Sequence, residues 1–287
     1  MDKDILTVIS RETSGFSKGQ RAIAKYILEY YDKAAFMTAG KLGHAVGVSE
    51  STVVRFASEL GYEGYPEMRK ALQEMIRNRL TSVQRIEVAK EMLDDSNVVR
   101  TVLSSDIDKL HATMDGVSQE DFDLAVEMIL AAHNIYIVGM RSSTCLANFL
   151  NFYLNLLMDN VRTIQDTAIS EIYEQIIHIG EGDLFIGVSF PRYSSRTANA
   201  MKFAKRRGAK ALGITDGEAS PFIGVADLNL FAKSDMVSFV DSLVAPLSLI
   251  NALIVAIGVR SRENLPDIFQ KLETIWSEYS VFQTDEH

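Results

Sequence analysis

Along the first 80 residues the apolar positions recur with a helical period. Residues 18–31 place Ile23, Tyr26, Ile27 and Tyr30 on one stripe, the spacing of an amphipathic helix. A short helix is expected after Thr38 and a third over residues 49–60, with Gly61 in the position that ends a helix. A further amphipathic helix over 66–80 begins with Pro66 in its first turn, where the missing N–H does no harm. Residues 81–115 are charged and periodic without a β signal, and read as a helical linker. From about Ser118 the pattern changes. Apolar runs at 135–138, 184–188 and 211–214 are short enough for buried strands, and helical segments separate them. Such alternation implies βαβ units and a parallel sheet. Residues 262–282 are again helical. The expectation is an all-α domain over 1–80, a linker over 81–115 and an α/β domain over 116–287.

The length of 287 residues suits two domains, and 47% hydrophobic content suits buried cores. Cys145 is the only cysteine, which excludes a disulfide framework or a cysteine-rich zinc site and fits a reducing compartment. The segment Met1-Asp2-Lys3-Asp4 has no apolar signal core, so a cytoplasmic location is expected. Residues 242–259 are apolar enough to raise the question of a membrane span. Pro246, Ser248 and Asn251 within them favour a buried or subunit-facing helix, and no membrane partner is expected. The net charge of −9 is uneven: residues 1–80 carry 12 basic and 10 acidic side chains, the remainder 17 and 28. A slightly basic head on an acidic body fits a DNA-binding module joined to a different domain.

The most informative stretch is residues 38–61. Thr38 and Ser49 are placed to cap two successive helices. Gly43 is small where those helices must approach. Gly47 sits in the tight turn, where a positive φ is easily supplied by glycine, and Val48 plugs the angle. On the second helix Val53, Phe56, Ala57 and Leu60 form one apolar face. That leaves Ser51, Thr52 and Arg55 outward near its N-terminal half, where a recognition helix meets base edges. Lys41, Ser49, Ser51, Thr52 and Arg55 are the candidate DNA contacts, with Arg69 and Lys70 as further phosphate contacts. A plain helical hairpin is the alternative, but the combined Gly43, Gly47, Val48, Ser49 and Val53 set carries the full helix-turn-helix logic. Glu50 and Glu59 flank the helix and would repel phosphates.

Two loops in the second half follow expected strands and precede helices: residues 139–144 and 189–197. Ligands of open α/β sheets bind beyond the carboxyl ends of strands, where helix N-termini offer N–H groups to anions. Candidate ligand contacts are Arg141, Ser142, Ser143, Ser189, Arg192, Ser194, Ser195 and Thr197. The serines and threonine supply hydroxyls, and the arginines supply charge in a bidentate fork. Serines acting only as helix caps, with solvated arginines, are the competing explanation. Other chemistries fit poorly. Gly139-Met-Arg141 is no dinucleotide fingerprint. Gly187-Val-Ser189-Phe-Pro191 lacks the second glycine of a nucleophile elbow. The five histidines show no metal-ligand spacing, and no metal or cofactor is expected. Cys145 follows the first loop and is expected to be a buried packing residue.

With both halves read, the chain resembles the RpiR/MurR family of bacterial transcription regulators along nearly its whole length. The N-terminal resemblance lies in Val48-Ser-Glu-Ser-Thr-Val-Val-Arg-Phe56, Leu60-Gly-Tyr62 and Tyr65-Pro66. The C-terminal resemblance is to the sugar isomerase (SIS) domain. It lies in Ile137-Val-Gly139 with Ser143, Gly182-Asp-Leu184, Ser189 with Ser194, and Gly213-Ile-Thr-Asp216. Ala204-Lys205, Gly208-Ala209, Ser220-Pro221 and Ala226-Asp227 add to it. The resemblance implies a doubly wound SIS-like sheet, dimers or tetramers, and a phosphosugar effector held by Ser143, Ser189 and Ser194. It also implies regulation of carbohydrate genes through a double-stranded DNA operator. The chain departs from the family pattern in both loops: Arg141 stands where glycine is common, and Pro191 and Arg192 replace a serine and a glycine. The site gains charge and loses backbone access, which points to an effector more anionic than a simple phosphosugar, or to one that is not a sugar. A phosphosugar isomerase is the alternative activity. Its base would come from Glu171, Glu174 or Glu218, but no acid partner for any of them is evident.

Overall fold

A computed structural model describes residues 5–13, 15–76, 81, 83–87, 97–164, 168–234, 240–261 and 265–282. The chain divides into two compact units, residues 1–103 with 236–241, and 104–235 with 242–287.

The first unit is helical: α1 (Ile5–Glu12), α2 (Lys18–Glu29), α3 (Tyr31–Ala34), α4 (Ala39–Val46), α5 (Glu50–Glu59) and α6 (Tyr65–Ile76). The stripe expected to run to residue 31 is broken at Tyr30, whose non-helical backbone separates α2 from α3. Ser17 opens α2 with a reciprocal capping box, its side chain bonding the Gln20 N–H while Gln20 bonds back to Ser17. Ile9, Ile23, Ile27, Leu42, Val53, Phe56, Met68 and Leu72 converge on one core. Phe16 meets Phe56 edge to face at 5.1 Å. Residues 77–80, the expected end of the last helix, lie outside the described residues.

The turn between α4 and α5 is built by two glycines. Gly47 has φ +73° and closes α4 through its N–H to Gly43 and His44 carbonyls. A Cβ on Gly43 would lie 2.8 Å from the Val48 carbonyl oxygen, so only glycine lets the two helices meet. Gly61, at φ +89°, follows α5 as expected.

Helix α7 (Val98–Gly116) spans the division between units. The second unit continues with α8 (Gln119–Leu130), β1 (Ile135–Gly139), α9 (Ser143–Leu157), β2 (Val161–Thr163), α10 (Ile169–Gln175) and β3 (Leu184–Val188). It is completed by α11 (Ser195–Arg206), β4 (Lys210–Thr215), β5 (Leu228–Phe231), α12 (Val244–Arg260) and α13 (Leu265–Glu278). The five strands run parallel in the order β2-β1-β3-β4-β5. Period-two alternation sends Ile135, Ile137, Leu184 and Ile186 to a core shared with α8, α9 and α12. Tyr136, Val138, Phe185 and Ala211 face the opposite core, shared with α10 and α11. The sheet is therefore doubly wound. Among the described residues no single helix is long and apolar enough to cross a membrane.

The helical unit generates two stability predictions. Gly43→Ala should cost about 1–3 kcal/mol, the usual penalty of overpacking; chemical denaturation would measure it. The Tyr65 phenol donates to the Met37 carbonyl at 3.0 Å, and burial pushes its pKa up to about 12, with Arg69 pulling slightly the other way. The neutral phenol is what the fold requires. Its contribution is complete below the ordinary tyrosine pKa of about 10 and is lost as pH rises toward 12. Tyr65→Phe should flatten the stability–pH curve in that window, measured by denaturation of the full chain.

Candidate functional sites

In the helical unit the expected DNA contacts lie on α4, on α5 and in the cap between them. Ser49 is the N-cap of α5: its Oγ accepts the Thr52 N–H and shares hydrogen bonds with the Ser51 and Thr52 hydroxyls, each at 2.9 Å. This cluster fixes the first turn of the helix. Ser51 and Arg55 are exposed, and Thr52 is half-buried. Val53, Phe56 and Ala57 anchor the opposite face. Lys41 is exposed on α4, with its N–H held by the Thr38 cap at 3.2 Å. Of the two acids expected to repel phosphates, Glu59 accepts a hydrogen bond from Gln20 Nε2 at 2.6 Å, and Glu50 occupies the first turn of α5. An acid there complements the helix dipole.

In the α/β unit the site follows from strand order. Gly139 at the end of β1 pairs in register with Val188 at the end of β3. From these neighbouring ends the chain departs to opposite faces of the sheet, into α9 and α11. That reversal opens a crevice between the two loops, the position where ligands of doubly wound sheets bind. A Cβ on Gly139 would lie 2.5 Å from the Ser143 carbonyl oxygen, so glycine admits the close start of α9.

A cavity of about 400 Å³ opens there, within the range of small-molecule sites. Arg141, Arg192, Ser194 and Ser195, all expected from sequence, line it. Met140, Tyr193 and Arg196 line it as well and were not anticipated. The further arginine was visible in the run Arg192-Tyr-Ser-Ser-Arg196, four residues beyond Arg192. Ser142, Ser143, Ser189 and Thr197 are not among the lining residues. Ser189 is buried and braces the loop from beneath, its Oγ accepting the Ser194 N–H at 3.1 Å. Ser143 is buried at the start of α9, and Ser142 is exposed beside it. Thr197 is fully buried and its Oγ1 has no hydrogen-bond partner among the described residues. Cys145 corrects the sequence expectation: it is exposed, because it occupies the outer side of the first turn of α9, where its Sγ donates to the Ser142 carbonyl.

The second loop is tied down by a chain of polar contacts. The Tyr193 phenol donates to Asp216 at 2.7 Å. Thr215 Oγ1 donates to the Ser189 carbonyl at 2.8 Å and bonds the Ser220 hydroxyl at 2.8 Å. Ser194 caps α11, so the first turn of that helix faces the crevice with its N–H groups forward. Arg141 holds a left-handed backbone at φ +57°, a conformation that costs a non-glycine residue about 1 kcal/mol.

Fold and site together define a helix-turn-helix protein whose second domain is an SIS-type α/β sheet with an anion-suited crevice. A model of the helix-turn-helix domain of the rpiR family matches residues 3–79, and the SIS domain model matches residues 128–256. Residues 3–79 are thus a helix-turn-helix domain of the rpiR family, and residues 128–256 an SIS domain. HexR, an HTH-type transcriptional regulator of Pseudomonas aeruginosa, is 24% identical over 267 residues, covering 90% of each chain. The sugar isomerase domain of an RpiR transcription factor from Sphaerobacter thermophilus is 28% identical at a TM-score of 0.59, covering 62% of this chain and 99% of its own. The Vibrio vulnificus NanR protein, solved in complex with ManNAc-6P, is 22% identical with a TM-score of 0.59, covering 96% of this chain and 98% of its own.

Arg55 is exposed on the face of α5 opposite the core, so Arg55→Ala should weaken DNA binding at least several-fold without lowering the unfolding midpoint. Gel-shift titration beside a melting curve would separate a contact from a structural role: loss of both would make the residue structural.

Proposed function

We propose that this protein is a cytoplasmic, homo-oligomeric transcription regulator that binds double-stranded operator DNA through α4 and α5. In this reading the crevice of the α/β unit senses a sugar phosphate or related anionic metabolite, and the genes controlled serve carbohydrate metabolism. The observation that carries the sensing half is the cavity between the β1 and β3 loops, with arginines and the capped N-terminus of α11 on its walls. The complex of NanR with ManNAc-6P supports a phosphosugar as the effector class. A pair of subunits would present two recognition helices to two half-sites, which is the usual way such heads read an operator. Ligand would act by favouring one arrangement of the pair.

Regulation is preferred to turnover for two reasons. The relatives are named transcriptional regulators. Glu171, Glu174 and Glu218, the bases considered for an isomerase, are not among the residues that line the cavity.

A ligand that binds only the folded state raises its apparent stability, by about 2.7 kcal/mol at a hundredfold excess over Kd. Thermal-shift screening of the purified chain against phosphosugars and their unphosphorylated counterparts should therefore show stabilisation by the phosphorylated members alone. Arg192→Ala should reduce that shift and leave operator binding by the ligand-free protein intact. Equal shifts with neutral sugars would remove the anion site from this reading.

A further inference from the structure

Helix α2 carries its charges against the direction of its own dipole. Lys18 is its first residue and Arg21 its fourth, no acid stands in its first turn, and its last residue is Glu29. The N-terminus of a helix is its positive end, so cations there destabilise and anions stabilise. Helix α11 shows the favourable order, with Lys205 and Arg206 in its last turn. Lys18 and Arg21 are exposed, and among the described residues neither side chain has a hydrogen bond or ion pair to offset that cost. Lys25, further along the same helix, has one in Glu29 at 3.8 Å. Two cations placed where they weaken the fold point to an anion outside the protein.

The first turn of α2 also lies against the recognition helix. A Cβ on Gly19 would stand 3.3 Å from Val48 Cγ1 and 3.5 Å from Thr52 Cγ2, so Lys18 adjoins the cap and first turn of α5. Gln20 Nε2 donates to Glu59 at 2.6 Å, which fixes α2 to α5 and occupies an acid that would repel phosphates. The major groove of DNA is about 12 Å wide, and an α-helix with its side chains is about 10–12 Å across. A helix seated there fills the groove, and what flanks it meets the phosphate strands at the groove's edges.

We infer that Lys18 and Arg21 are contacts to the DNA backbone, so that α2 joins α4 and α5 in the surface that meets the duplex. The inference rests on the DNA-binding reading and extends it to a helix outside the helix-turn-helix pair. Ammonium and guanidinium groups pair with phosphodiester oxygens at any base sequence. The two residues therefore supply affinity and register, while Arg55 on α5 supplies base discrimination. The charge conflict within α2 is relieved only when the duplex is bound.

Salt-dependent binding of the full chain tests this. The probes are a duplex selected by the unaltered protein from a random-sequence pool and a mixed-sequence duplex of the same length, titrated from about 50 to about 200 mM salt. Each phosphate contact contributes about 0.9 to the slope of log affinity against log salt. Lys18→Gln and Arg21→Gln, made singly, should each lower the slope by about that amount, so that each variant loses about threefold less affinity over the range than the unaltered protein. Both duplexes should weaken by the same factor, since backbone contacts carry no sequence information. The unfolding midpoint of each variant should hold or rise, because a charge that the dipole disfavours has gone. Lys210→Gln, the same change of charge at the exposed start of β4 in the other unit, should leave the slope unchanged. An unchanged slope in either α2 variant, or an equal fall with Lys210→Gln, overturns the proposal while DNA binding stands. Weakening confined to the selected duplex would make the residues base contacts, and weakening with a lowered midpoint would make them structural; either result also overturns it. Failure to select any duplex removes the DNA-binding reading itself, and this proposal with it.

Discussion

The pairing of β1 with β3 is the constraint on which the α/β unit depends. Parallel strands cannot be joined by a tight turn, so every connection must cross a face of the sheet. Gly139 and Val188 end side by side, and the chain then leaves them in opposite directions. The two loops cannot close over each other, and a gap between their helices is unavoidable. Everything that gives this gap its chemistry is a local elaboration: Gly139 lets α9 begin close to the strand, Ser194 caps α11, and Ser189 with Thr215 holds the second loop from below. The hydrophobic cores on both faces stabilise the sheet, while the crevice lies beyond the carboxyl ends of its inner strands β1 and β3.

The helical unit solves a different problem with similar means. Two helices must meet at a sharp angle with one of them projecting outward. Gly43 removes the side chain at the contact, Gly47 supplies the reversal, and Ser49 restarts the hydrogen bonding. Each is a local requirement of backbone geometry that a few residue types satisfy, and this is why the motif is legible in the amino-acid sequence alone.

Legibility followed the same division. The central strands were visible because each is a short, largely buried run bounded by polar residues. The edge strands β2 and β5 were not, since Arg162 and Asn229 interrupt their apolar character and a sheet edge does not demand continuous burial. Helix boundaries set by caps were recovered at Thr38 and Ser49, but the break at Tyr30 carries no glycine or proline to announce it. In the crevice, loop position was legible and side-chain direction was not. Arg141, Arg192, Ser194 and Ser195 reach the cavity, whereas Ser189 turns inward to brace the loop. Cys145 was expected in the core because free cysteines are usually buried, yet its place in the first turn of α9 leaves it exposed. Arg196 escaped notice because it follows the cap and reads as an ordinary exposed helix residue.

The backbone at Arg141 also bears on how such a site changes over generations. A residue with φ +57° is one that glycine occupies without strain. Most routes to a new binding preference degrade the fold, because they place poorly tolerated groups in a packed setting. At this position the usual conflict is inverted. Exchanging arginine for glycine would discharge one wall of the crevice and relax the chain in the same step, so selectivity can drift toward less charged ligands with no stability debt to repair.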